Sequence, residues 1–157
     1  MRTAVLLAAM LGTLIAERPS LAQPAAMSAD SKTVQACLDR LDASIGQNCI
    51  GVVAHPCITA AEGDSAKINV CAMRELRVWD AQLEVALRRI QRGGFREIVE
   101  AARQSQEAWQ SSRRALCVVF DRIDPGMLPG GASYCTMHET ASRALLLRRL
   151  GQAVNEH

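Results

Sequence analysis

The stretch CAMRELRVWDAQLEVALRRIQRGGFREIVEAARQSQEAWQSSRRALC, residues 71–117, decides the fold. Along it Leu76, Trp79, Leu83, Leu87 and Ile90 recur three and four residues apart, the spacing that gathers side chains on one face of an α-helix. The pattern halts at Gly93-Gly94. It resumes with Phe95, Ile98, Ala102, Trp109, Leu116 and Phe120 as inward positions and runs to about Arg122. So short a link makes the two helices antiparallel neighbours, an αα-hairpin. Within the later helix Gln106, Trp109, Arg113 and Cys117 lie three, four and four residues apart and share one narrow stripe, while Ser, Gln and Arg fill the wet faces.

Working outward, the first hairpin helix is expected to start near Ser65. Upstream, Val34, Leu38, Leu41 and Ile45 repeat at helix spacing from Ser31, with Asp30 or Ser31 as the cap and Gly46 as the stop. Residues 47–64 hold two cysteines, a proline and glycines without a sustained period, and read as a stapled loop. Downstream, Asp124-Pro125-Gly126 and Pro129-Gly130-Gly131 are turn chemistry. A last helix is expected from about Tyr134 to Asn155, with Met137, Ala141, Ala144, Leu147 and Leu150 available to pack. Alternating β-branched runs are nearly absent. The fold class is therefore all-α: a small disulfide-stapled helical bundle built on an antiparallel αα-hairpin plus a C-terminal helix.

The opening MRTAVLLAAMLGTLIAERPSLAQP reads as a secretory signal: Arg2, an apolar run from about Ala4 to Ala16, and small residues at Ser20-Leu21-Ala22. Cleavage is expected after Ala22, followed by a flexible lead-in over 23–30 and one domain over 31–157. An uncleaved N-terminal anchor is the rival reading; Glu17, Arg18 and Pro19 end the apolar run too early for it. No cysteine stands at the cleavage point, which argues against a lipid anchor, and nothing later in the sequence reads as a transmembrane helix. The expected location is periplasmic or secreted. The whole chain carries +2, and losing Arg2, Arg18 and Glu17 with the signal lowers this by one. Near-neutral charge gives no support to nucleic-acid binding or a polybasic membrane patch.

Cys37, Cys49, Cys57, Cys71, Cys117 and Cys135 all follow the signal, and an even set in an exported chain reads as three disulfides. Zinc is the rival, but the spacings contain no CxxC and no HxxxH pair. No cofactor is expected. Aromatic residues are few, so the core is thin and covalent staples matter more than usual. Cys117 lies at the far end of the hairpin, close to both Cys71 and Cys135, so two pairings compete. Cys117–Cys135 is favoured because it locks the Pro/Gly turn between successive helices. Cys57–Cys71 and Cys37–Cys49 then follow as local pairs.

The segment CAMRELRVWDAQLEVAL (71–87), then Gln106, Trp109, Arg113 and Cys117, then GGASYC (130–135) and Thr140 with Arg143, resemble the LprI-type lysozyme inhibitor family, and more narrowly its N-terminal domain. The positions that match its pattern are Cys71, Trp79, Asp80, Leu83, Gln106, Trp109, Arg113, Cys117, Gly130, Gly131, Cys135, Thr140 and Arg143. CIGVVAHPC (49–57) resembles a variant seen in some members, and the resemblance covers about residues 49–150. The family's Asn is Glu84 here and its Tyr is Leu87, so a contact that relatives make through that pair is not carried over. The resemblance implies an exported helical domain that binds a muramidase.

Each candidate also has an ordinary reading. Trp109 and Arg113 are residue types that interfaces favour, and equally a core Trp beside an Arg bonded to a carboxylate or to helix-end carbonyls. Trp79 reads as core. Asp80 reads as a cap, a partner contact, or a mate for Arg113 across the hairpin. Glu75 and Glu84, nine residues apart, face opposite ways on one helix and cannot form a close catalytic pair. His138 follows Cys135 by three residues, but a disulfide cysteine is no nucleophile. His55 sits in the stapled loop with no acid or nucleophile fixed nearby, and His157 is terminal. Arg143, Arg148 and Arg149 read as a solvated face. No phosphate cradle or GxSxG appears.

The expected function is binding without catalysis: an exported, lysozyme-inhibitor-like module whose partner is a lysozyme or other muramidase, with Glu75 and Glu84 as exposed acids facing a cationic enzyme. The alternative is an envelope structural or assembly protein with no enzyme target.

Overall fold

The computed structural model describes residues 28–40, 43–122 and 130–156. The expected signal over 1–22, Leu41, the Asp124-Pro125-Gly126 turn, Pro129 and His157 lie outside the described residues.

The order of elements is α1 (Ala29–Arg40), a 3-10 helix (Ala43–Cys49), α2 (Ala54–Thr59), α3 (Ser65–Gly93), α4 (Arg96–Arg122) and α5 (Gly131–Asn155), with no strand among the described residues. The chain is an all-α bundle. The cap of α1 is Ser28 rather than Asp30 or Ser31: its hydroxyl accepts the Ser31 N–H at 3.1 Å. Asp30 is occupied elsewhere, taking two hydrogen bonds from Arg74 of α3 at 2.7 and 3.1 Å. The segment read as a loop over 47–64 contains α2, a helix too short to show a period.

Asp64 starts α3 by accepting the N–H groups of Ala66 and Lys67 at 3.0 and 3.1 Å. Its carboxyl is held below the usual range, chiefly by the Lys67 N–H. At the other end Gly94 leaves the helix with ordinary extended angles, φ −84° and ψ 145°. Gly94 is therefore required for space rather than for a left-handed turn. A Cβ on Gly94 would stand 2.7 Å from the Ile90 carbonyl, whereas one on Gly93 would meet only the movable end of the Asn155 side chain.

α3 and α5 run parallel. Gly130 abuts Ile68 where both begin, and Gly93 abuts Asn155 where both end. α4 returns antiparallel between these ends, with Gln106 opposite Arg143 and Cys117 bonded to Cys135. The hairpin link is as expected, but the main packing is α3 against α5, and α4 lies more on α5 than on α3. Trp79, Ile90, Met137, Leu147 and Val34 are fully buried at the centre. α4 buries only Ala102, Gln106 and Cys117. Phe95 and Leu116, expected inside, are 73% and 46% exposed. Phe95 precedes the first turn of α4. Leu116 lies about 100° around the helix from Cys117, and the disulfide turns Cys117 inward. Leu150, also expected to pack, is 38% exposed.

Three disulfides fasten neighbours: Cys37–Cys49 joins α1 to the 3-10 helix, Cys57–Cys71 joins α2 to α3, and Cys117–Cys135 joins α4 to α5. Cys71 is thus engaged by Cys57, and the rival Cys71–Cys117 pairing does not form. No cysteine is free. No described helix is long and apolar enough to cross a membrane.

Candidate functional site

Glu75 is not an exposed acid. It is fully buried. One carboxylate oxygen accepts the Gly51 N–H at 2.6 Å and the Trp79 indole N–H at 2.7 Å. The other accepts the N–H groups of Val53 and Ala54 at 2.9 and 2.7 Å. Four donors around one carboxylate are what make a buried charge tolerable. Gly51 adopts φ +93°, and a Cβ there would lie 2.2 Å from the His55 ring. Glycine is therefore needed twice at that position, for the left-handed angle and for the space. The helical spacing carried this signal: Glu75 stands four residues before Trp79 and so on the buried stripe, whereas Glu84 falls on the opposite face. Glu84 is exposed, 3.1 Å from Arg88.

The carboxylate thus clamps residues 51–54 into a knuckle that precedes and opens α2, and the disulfides at Cys49 and Cys57 close its two ends. On its outer side His55 is exposed, with Nε2 2.7 Å from the Tyr134 hydroxyl of α5. The two rings stack with centroids 5.9 Å apart, and Tyr134 stacks in turn on His138 at 6.5 Å. Burial, then the nearby Glu75 charge, pushes the Tyr134 phenol up. His138 has Glu139 3.7 Å away. The sequence offered no reason to connect His55 with Tyr134, 79 residues later.

The second cluster lies between α4 and α5. Arg113 donates to the Thr140 hydroxyl at 2.5 Å, and its guanidinium rests 4.7 Å over the half-buried Trp109 ring. Arg143 lies 5.8 Å from the same ring and donates to Gln106 Oε1 at 3.0 Å and Ser105 Oγ at 2.9 Å. Arg113 therefore meets a hydroxyl and an aromatic face, not the expected carboxylate or helix end. Arg143 belongs to no solvated face, and burial lowers its pKa. Gln106 Nε2 is buried without a hydrogen-bond partner among the described residues. Thr140 is fully buried and also donates to the Thr136 carbonyl. Leu83 and Trp79 belong to the central core. Asp80 is exposed and forms no ion pair with Arg113. Partial burial raises its carboxyl, against the pull of Arg113 and with the push of Glu84.

Among the described residues no three His, Cys, Asp or Glu side chains group as a metal site would require. Of the non-cysteine side chains that the family resemblance singled out, Trp79 and Leu83 are a core pair, Gln106, Trp109, Arg113, Thr140 and Arg143 form a polar lock, and the exposed Asp80 belongs to neither.

A family model described as lysozyme inhibitor LprI matches residues 57–147, more than half of the chain. The chain belongs to the LprI family. No curated protein and no solved structure matches it. The LprI match contains Glu75, the polar lock and both disulfides of the α2–α5 body. It leaves out α1, the Cys37–Cys49 bridge and His55, so the outer part of the knuckle lies beyond the segment that defines the LprI family here.

Proposed function

We propose that this LprI-family protein binds a lysozyme or another muramidase outside the cytoplasm and inhibits it by occlusion, placing a rigid edge in the glycan cleft and performing no chemistry of its own. The observation that carries this reading is the family match over 57–147. Three disulfides and a carboxylate-clamped knuckle support it physically. A body already fixed in one shape loses little conformational freedom on binding. Disulfides also persist in oxidising compartments, consistent with a periplasmic or secreted location.

Recognition by acids is reduced to Glu84, since Glu75 is spent inside the fold. Near-neutral charge leaves little long-range steering, so affinity has to come from local shape and hydrogen bonding. The test is a turbidity assay of cell-wall lysis with the purified, oxidised protein and several lysozymes. Lysis should slow in proportion to added protein for at least one enzyme. Undiminished lysis by all of them at large molar excess would reject the function.

A further inference from the structure

We propose that the edge presented to the muramidase is the knuckle between Cys49 and Cys57, and that His55, backed by Tyr134, engages the carboxylates at the enzyme's catalytic centre; this rests on the occlusion reading above. Four observations converge there. The knuckle is tightly constrained, held by two disulfides and by three backbone N–H groups on the Glu75 carboxylate, and its exposed tip is His55-Pro56. Its outer side chain is an exposed imidazole set in position by the Tyr134 hydroxyl at 2.7 Å. That contact uses Nε2, and Nδ1 forms no hydrogen bond within the described residues, so one polar edge of the ring is left for a partner. Finally, the stretch CIGVVAHPC contains no acidic residue, and the one carboxylate beneath it is buried and fully bonded.

The chemistry of the partner follows from these features. Enzymes that cleave β-linked glycans place two carboxyl groups on either side of the scissile bond. An imidazole N–H donating to such a carboxylate makes a charge-assisted hydrogen bond. A knuckle without acids brings no like charge into that cleft. Ordering costs are small because the backbone is already fixed. The second imidazole, His138, ends the stacked row, and Glu139 beside it at 3.7 Å sets the limit of the acid-free face at Tyr134.

The experiment compares the oxidised wild-type protein with His55→Ala and Tyr134→Phe against a lysozyme that the wild type inhibits. His55 is exposed, so its removal leaves the core and all three disulfides intact, as a thermal melt and a thiol titration would verify. Inhibition should weaken at least about tenfold in His55→Ala and by a smaller factor in Tyr134→Phe, which keeps the ring but not the hydroxyl. Binding is then measured to a lysozyme whose general-acid Glu is replaced by Gln. Wild type should bind this enzyme several-fold more weakly than the active one, whereas His55→Ala should bind both alike, the signature of a coupled pair. Full inhibition by His55→Ala would overturn the inference while leaving the occlusion reading in place. Equal weakening of both proteins by the Gln enzyme would overturn the carboxylate contact. Failure of the wild type against every lysozyme would remove the occlusion reading and this inference together.

Discussion

α4 and α5 are nearly equal in length, 27 and 25 residues, yet α4 buries three residues and α5 buries eight. The two helices are retained by different physics. α5 is held by area removed from water: Met137, Ala141, Ala144 and Leu147 pack into the groove of α3. α4 is held by one covalent bond, two guanidinium groups and a half-buried indole. Helical periodicity reports that a helix has an inner face. It does not report how much lies against that face, and α4 is closer to an outrigger than to a core member.

The sharpest way to break this contrast is at the α3–α5 core. Trp79→Ala should cost about 4 kcal/mol, because a fully buried aromatic leaves a cavity and Glu75 loses a donor. Urea denaturation measures it, and a loss under about 1 kcal/mol would mean that this core is not the main source of stability. Next comes Cys117→Ser with Cys135→Ser. Loop closure over a separation of 18 residues predicts about 3 kcal/mol. Hydrogen exchange should rise selectively in the later half of α4 while α3 stays protected; uniform deprotection of both would erase the distinction between the helices.

Glu75→Gln should cost about 2 kcal/mol. The amide keeps one acceptor oxygen but turns an NH2 group toward backbone donors. The loss should appear as faster amide exchange at Gly51, Val53 and Ala54, and unchanged protection there would refute the clamp. Thr140→Val tests the polar lock directly and should cost about 1 kcal/mol by leaving Arg113 without its hydroxyl.

The smallest effect concerns charge beside α4. The carboxyl of Asp80 is raised in the folded protein, so ionising it weakens the fold as pH climbs from the unfolded value of 3.8 through the higher folded one. Asp80→Asn should therefore be slightly more stable than wild type at neutral pH, with the gain gone below pH 3.8. A less stable variant at neutral pH would show that the attraction of Arg113 outweighs the burial of the carboxyl.

The sequence carried the three long helices well, for identifiable reasons. Asp64 and Ser65 begin α3, Gly94 ends it for want of space, and the Trp79 stripe marks its buried face. α2 was missed because six residues cannot establish a period, and such a short helix is stable only with outside help. Here that help is Glu75, from a different helix. The α3–α5 pairing was also out of reach. A short link says which helices are neighbours in the chain, whereas close packing depends on small residues such as Ala141, Ala144 and Gly151 coming into register with α3. A Cβ on Gly151 would sit 3.3 Å from the Arg89 stem. Arg143 was misread for a related reason. A lone arginine on a helix defaults to solvent, and only the tertiary register of α4 on α5 places Gln106 and Ser105 against it.

All three bridges connect cysteines that are consecutive along the chain: first to second, third to fourth, fifth to sixth. An oxidant that joins thiols strictly in order of appearance therefore makes the native set at once. A polypeptide emerging N-terminus first into an oxidising space would never need its links reshuffled, so maturation should proceed at full yield in cells lacking a disulfide isomerase.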